Sequence, residues 1–192
     1  MQRLSMKISY NSPVILTLAI VSAGVLFAGA CTGGVITQKL FTVYPTMQWS
    51  NPIDYFRLLS HVLGHQDISH LAGNMTFILL LGPGLEEKYG SVNLIEMISI
   101  TALVTGLATV LLFSSGLLGA SGIVFMMILL SSYSNVGEGE IPLTFILIAI
   151  LFLGKEIIHA LQTDHISQAA HLIGGLCGAA FGYSRVYQKE PA

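Results

Sequence analysis

The strongest constraint on this chain is the spacing of its charged residues. Only 9% of its 192 residues are Asp, Glu, Lys or Arg, against about 25% in a typical soluble domain. Five long stretches carry no charge at all: residues 8–38, 68–85, 97–137, 141–154 and 165–184. Stretches of this length and composition are stable as helices in lipid, so the sequence predicts an all-α polytopic membrane protein and excludes an ordinary soluble domain.

The length of each uncharged stretch sets the number of membrane crossings. A helix needs about 20 apolar residues to cross the hydrocarbon core. Residues 97–137 are too long for one span, and the turn-like segment 113–116 divides them in two. We therefore predict one domain, 1–192, with six transmembrane helices at about 13–33, 69–83, 92–113, 118–135, 141–159 and 167–187.

The N-terminus has one feature of a signal peptide, because Arg3 and Lys7 precede an apolar run that contains Ala28-Gly29-Ala30. The uncharged run extends over residues 8–38, which is much longer than the roughly 7–15 residues of a signal-peptide core. We therefore expect the first helix to be retained.

The distribution of Lys and Arg predicts the orientation. If the N-terminus is cytoplasmic, five basic residues lie inside and three outside; the inner ones are Arg3, Lys7, Lys88, Arg185 and Lys189, and the outer ones Lys39, Arg57 and Lys155. The positive-inside rule then favours cytoplasmic termini. The long first loop, residues 34–68, mixes aromatic and polar residues and is expected at the headgroup level.

Polar residues at membrane depth are costly and are therefore candidates for function. They lie in three short stretches: 61–74 with His61, His65, His70 and Asn74, 119–122 with Gly119 and Ser121, and 170–178 with His171 and Gly174. Each stretch lies at or just after an odd-numbered connection between spans. Because odd-numbered connections share one side of the membrane, these side chains are expected to converge there.

Small residues indicate how two of these stretches meet. His171 shares a stripe of the predicted sixth helix with glycines at 174, 175, 178 and 182. Residues 119–122 form a second small patch, and small residues allow helices in membranes to approach closely. Packing of the two patches would bring the His171 imidazole within reach of the Ser121 hydroxyl, which is the pairing of a nucleophile with a general base.

Structural interpretations also exist for these residues. Ser121 and a lone histidine can serve packing and hydrogen bonding only. His61 and His65 have the spacing of metal ligands, but no His-Glu-x-x-His motif accompanies them, so we expect no metal and no cofactor.

Cys31 and Cys177 lie in apolar stretches and are expected to pack without a disulfide. The net charge of −2 without a basic cluster gives no reason to expect nucleic acid.

Taken together, the three stretches resemble the rhomboid intramembrane serine proteases, most closely their compact six-helix bacterial members of the GlpG type. The matching residues are Gly119-Ala120-Ser121-Gly122, Ala170-His171-Leu172-Ile173-Gly174, and the series His65, His70 and Asn74. The resemblance extends in order over nearly the whole chain. It implies a rhomboid-like bundle in the bacterial inner membrane, with a site that opens to the periplasmic side.

The resemblance also implies a role for each matching residue. Ser121 is the expected nucleophile and His171 the expected general base, without the aspartate of soluble triads. The side chains of His65 and Asn74, with the backbone N–H of Ser121, are expected to form the oxyanion hole. His70 is expected to support that site.

Two positions depart from the family pattern. Phe56 replaces the tryptophan that precedes the first-loop arginine, here Arg57. Phe125 stands where relatives often have a tyrosine packed on the catalytic histidine. Because Phe125 follows Ser121 by four residues, both lie on one helix face, so the ring packing is expected to persist without the hydroxyl.

The implied activity is hydrolysis of peptide bonds in or near transmembrane helices of membrane proteins, through an acyl-enzyme. Two other classes stay open. One is a catalytically inactive rhomboid-like protein that binds client helices. The other is a small channel or transporter, which Glu96 in the third predicted span would serve. The presence of both Ser121 and His171 favours the protease.

Overall fold

The computed structural model describes residues 10–133 and 165–187, with five helical positions between 143 and 151. The two long ranges form seven α-helices and one 3₁₀ turn: α1 Pro13–Cys31, α2 Val35–Leu40, α3 Pro52–Ser60, the turn His61–Leu63, α4 Ile68–Tyr89, α5 Ser91–Leu112, α6 Ser121–Tyr133 and α7 His165–Tyr187. The predicted all-α fold is thus confirmed for these ranges.

Three helices in the described ranges, α1, α4 and α5, are long and apolar enough to cross a membrane. Helix α6 is apolar but has only 13 residues. The predicted fifth span, 141–159, lies outside the described residues except for its few helical positions. A helical membrane protein is therefore supported, and the number of six crossings stays a prediction.

Local sequence signals explain where the helices begin and end. Pro52 is the first residue of α3, and the Asn51 side chain accepts a hydrogen bond from the Ile53 N–H at 3.1 Å. Asp67 caps α4 in the same way, by accepting from the His70 N–H at 2.8 Å. Both are side-chain caps of exposed N–H groups at helix starts. Gly90, with φ +81°, separates α4 from α5.

Helix α4 continues to Tyr89, well beyond the predicted end at residue 83, although it contains Pro83. The reason is Glu86, whose side chain is 5% exposed. Its carboxylate accepts hydrogen bonds from the backbone N–H groups of Val14 at 3.0 Å and Ile15 at 3.1 Å, and from the Ser91 hydroxyl at 2.7 Å. A negative charge is favourable at a helix N-terminus, so Glu86 joins α4 to the start of α1.

Replacement of Glu86 by Ala should lower the melting temperature of the purified protein in detergent by about 5 °C or more. The substitution leaves two N–H groups of α1 without an acceptor, and a buried donor without a partner costs about 1–3 kcal/mol. The control is Glu87→Ala, since Glu87 is exposed on the same turn. Equal melting temperatures of the two variants would contradict the role of Glu86.

Helix α6 lies at the centre of the bundle, with α7, α4 and α5 packed around it. Ile123, Met126, Met127 and Leu130 on this helix are at most 1% exposed. Interiors of this kind are closely packed and hold their side chains in fixed rotamers. The first residue of α6 is Ser121, so the candidate nucleophile stands at the end of the most constrained helix.

The first loop is largely helical and is attached to the segment that precedes α6. An isolated antiparallel bridge joins Val43 to Leu117, with backbone N–O distances of 3.0 and 2.9 Å. Trp49, Tyr55 and Phe56 are exposed on this loop. Exposed aromatic side chains agree with a position at the headgroup level, which stays a prediction.

Candidate active site

Ser121 begins α6 directly after a turn that requires glycine. Gly119 has φ +120°, a backbone conformation that residues with a side chain rarely adopt. Its N–H donates to the carbonyl oxygen of His61 at 2.9 Å. The chain therefore turns sharply at Gly119 and presents Ser121, which is partly exposed, at the open end of α6.

Helices α6 and α7 meet backbone to backbone through glycines. A β-carbon added to Gly174 would collide with the carbonyl oxygen of Gly122, and one added to Gly178 would collide with that of Met126. The predicted contact between the small patch at 119–122 and the glycine stripe of α7 is present. Such contacts are typical of closely packed membrane helices.

The ring of His171 stacks on the ring of Phe125. Their centroids are 4.4 Å apart and the planes differ by 6°. Phe125 lies one turn after Ser121 on α6, so the stack holds the imidazole on the Ser121 face of that helix. The ring packing expected from the sequence is therefore retained with phenylalanine.

His65 and Asn74 form a buried pair behind this turn. His65 is 1% exposed and Asn74 8%. The two side chains join through His65 Nε2 and Asn74 Nδ2 at 3.0 Å, and His65 Nδ1 lies 3.2 Å from the carbonyl oxygen of Leu63. Both ring nitrogens of His65 are thus occupied by protein groups.

His70, in contrast, faces the turn that precedes the candidate nucleophile, Ser121. A β-carbon added to Gly119 would lie 2.7 Å from His70 Nε2 and 3.7 Å from Asn74 Nδ2. The ring of His70 also packs edge-on against that of His65, with centroids 5.0 Å apart. Of the two histidines, His70 is therefore the one placed beside Gly119.

His61 and His65 do not form the metal pair that their spacing allows. His61 Nδ1 donates to the carbonyl oxygen of Arg57 at 3.2 Å, and Nε2 lies 3.3 Å from Thr105 Oγ1. Each histidine thus uses both ring nitrogens for other partners. Burial lowers the pKa of each from its ordinary value of 6.5 to about 4, so both are neutral near pH 7.

Arg57 and Phe56 stabilise the first loop through contacts with other residues of that loop. The Arg57 side chain donates to the carbonyl oxygen of Lys39 at 2.8 Å, forms an ion pair with Asp54, and lies over the ring of Tyr44. Phe56 packs edge-on against Phe41. The expected supporting role of Arg57 is thus a contact within the loop.

Helix α5 contributes buried threonines to the surroundings of the site, and the sequence interpretation missed them. Thr101, Thr105 and Thr109 are at most 3% exposed, and Thr105 contacts His61. Their spacing of four residues, one polar stripe on an apolar helix, was the available signal. Glu96 on the same helix is exposed, so it does not line a polar interior of the kind a channel requires.

The rhomboid domain model matches residues 52–188 of the chain, which include all the site residues described above. The chain belongs to the rhomboid family. The resemblance inferred from the three polar stretches is therefore confirmed.

Two rhomboid relatives have measurable sequence similarity. The chain is 23% identical to Rhomboid protease GlpG of Haemophilus influenzae over 133 residues, which are 68% of this chain and 69% of that protein. It is 31% identical to Rhomboid-related protein 1 of Caenorhabditis elegans over 149 residues, which are 69% of this chain and 40% of that protein. Membership of the rhomboid family, together with the apolar helices, supports an integral membrane protein with a protease function.

Proposed function

We propose that this rhomboid is an active intramembrane serine endopeptidase that uses Ser121 and His171. The observation that carries the proposal is the stack of His171 on Phe125, because it holds an imidazole on the helix face of the candidate nucleophile. A nucleophile and a base held on one face by packing are the two parts that acyl transfer requires.

In the proposed reaction, neutral His171 removes the proton of the Ser121 hydroxyl while the oxygen attacks the peptide carbonyl carbon. The imidazolium then gives that proton to the amine as the peptide C–N bond breaks. The amine departs, and the acyl group remains bound to Ser121 as an acyl-enzyme. Water, deprotonated by the same imidazole, attacks the ester carbon. The imidazolium then returns that proton to the Ser121 oxygen as the ester C–O bond breaks and the carboxylic acid product leaves. One base serves both half-reactions, and no metal or cofactor takes part.

The oxyanion hole in this proposal differs from the one expected from the sequence. Its donors are the Ser121 backbone N–H, the Asn74 amide and the His70 ring, since the last two lie beside Gly119. His65 is replaced by His70 because both His65 nitrogens have other partners. Donors fixed in a water-poor site stabilise the developing negative charge strongly.

The proposed substrates are transmembrane segments of other membrane proteins. A helix in lipid satisfies all its carbonyl groups internally, so Ser121 can attack only where a substrate helix is frayed or broken. We place the enzyme in the bacterial inner membrane, with cytoplasmic termini and a site open to the periplasm, on the distribution of Lys and Arg.

A direct test combines a labelled transmembrane substrate with a fluorophosphonate probe. The purified protein in detergent should cleave the substrate, and the probe should form one adduct that mass spectrometry assigns to Ser121. The Ser115→Ala variant, which changes an exposed serine in the preceding loop, should react equally well. A folded protein that neither cleaves nor binds the probe would instead be the inactive client-binding rhomboid.

A further inference from the structure

The hydrogen bonds of His65 determine which of its nitrogens carries a proton. Nδ1 lies 3.2 Å from the carbonyl oxygen of Leu63, and a carbonyl can only accept. Nδ1 must therefore be protonated. Because burial keeps the pKa of His65 low, the ring is neutral near pH 7 and Nε2 carries a lone pair.

That lone pair determines in turn how the Asn74 amide is oriented. Only the NH₂ group of Asn74 can donate to an unprotonated nitrogen, so Nδ2 must face His65 Nε2, as the 3.0 Å contact shows. The second N–H of the same group then points away from His65. Nδ2 is also the Asn74 atom beside Gly119, 3.7 Å from the position of its absent β-carbon.

We propose that His65 is a positioning residue that locks the Asn74 amide with its free N–H directed at the oxyanion. This assignment rests on the proposed protease function and gives His65 an indirect role, through Asn74, instead of direct contact with substrate.

The lock matters because an asparagine amide has two orientations of nearly equal shape. In the opposite orientation Asn74 would present its carbonyl oxygen to the developing oxyanion, and a donor would become a repulsive acceptor. In a buried site the loss of one oxyanion donor typically costs about 10² to 10³ in rate. A fixed neighbour that accepts from only one orientation prevents this loss.

Steady-state kinetics with four variants test the lock. His65→Leu removes the acceptor and should lower kcat about 10²-fold with little change in KM. Asn74→Ala should do the same, and the double variant should be no slower than Asn74→Ala, because His65 acts only through Asn74. His65→Gln, which can offer an amide oxygen near the Nε2 position, should recover most of the loss. The control Gln66→Ala changes an exposed neighbour and should retain wild-type rates.

Two kinetic results would overturn the proposal. One is a double variant whose loss is the product of the two single losses, since the residues would then act independently. The other is a His65→Gln protein that melts like the wild type yet is as slow as His65→Leu. Melting temperatures measured for every variant separate these results from simple unfolding.

A second measurement does not depend on proteolysis. Nitrogen-15 NMR of histidine-labelled protein, with the His65→Gln variant to assign the signal, should show His65 protonated at Nδ1 and unprotonated at Nε2. Protonation at Nε2 would contradict the proposed positioning of Asn74 by His65, even in an active enzyme. A protein with the expected tautomer but no cleavage and no probe adduct would contradict the protease function alone.

Discussion

Ser121→Ala and His171→Asn are each expected to reduce cleavage of a transmembrane substrate at least about 10⁴-fold, and the double variant should be no slower than either single one. In the proposed mechanism the nucleophile and the base act in the same proton transfer, so removal of one makes the other useless. The measurement is the cleavage rate of purified protein in detergent under single-turnover conditions. Ser184→Ala, an exposed change on the same helix as His171, is the matched control.

The same rates measured against pH test the role of His171 as base. The base must be neutral, so the rate should fall on acidification as His171 takes up a proton. His61 and His65 do not contribute between pH 8 and 5, because burial lowers the pKa of each to about 4. A rate that stayed constant over this range, or a His171→Asn variant that still cleaved, would contradict the proposed dyad.

In the proposed dyad, packing takes the place of the third residue of a soluble triad. In soluble serine proteases an aspartate orients the imidazole. Here the flat face of Phe125 lies parallel to His171 at 4.4 Å, and the absence of side chains at Gly174 and Gly178 lets α7 approach α6 closely enough for that stack. In the proposed enzyme this helix contact would orient the imidazole in an environment where a buried charge would be costly.

The long apolar helices were predictable because their signal is strong and local. The predicted spans 13–33 and 92–113 match the bounds of α1 and α5 within about two residues, since a helix in lipid must be apolar along most of its length. Helix α4 runs past the uncharged stretch that predicted it, because Glu86 is buried in the bundle. A carboxylate with three donors from α1 and α5 can be buried, and the sequence does not reveal partners that are distant along the chain.

In the candidate site, too, the local features were predictable and the contacts between distant residues were not. The spacing of small residues and the order of the polar stretches were sufficient to predict that residues 119–122 contact α7 and lie near the 61–74 stretch. They could not distinguish His65 from His70, because both lie on the same short segment and only the path of the chain through the turn at Gly64 to Asp67 decides which ring faces Gly119. The contact of His61 with Thr105 was missed for the same reason, since it joins residues that are 44 positions apart.

Gly119→Ala should lower kcat by about 10³ or more while the bundle remains folded. The new methyl group would lie 2.7 Å from His70 Nε2 and 3.7 Å from Asn74 Nδ2, in the space proposed for the substrate oxyanion. In addition, φ +120° is strained for alanine by about 1–3 kcal/mol, so the turn would relax and shift the Ser121 N–H.

Gly73→Ala is the matched control, because Gly73 lies on the helix that carries Asn74 and its added methyl group meets nothing within 4 Å. The control should keep the wild-type rate and melting temperature. A Gly119→Ala enzyme with wild-type kcat would show that the oxyanion does not form at this turn, and the donors assigned to Asn74 and His70 would then be wrong.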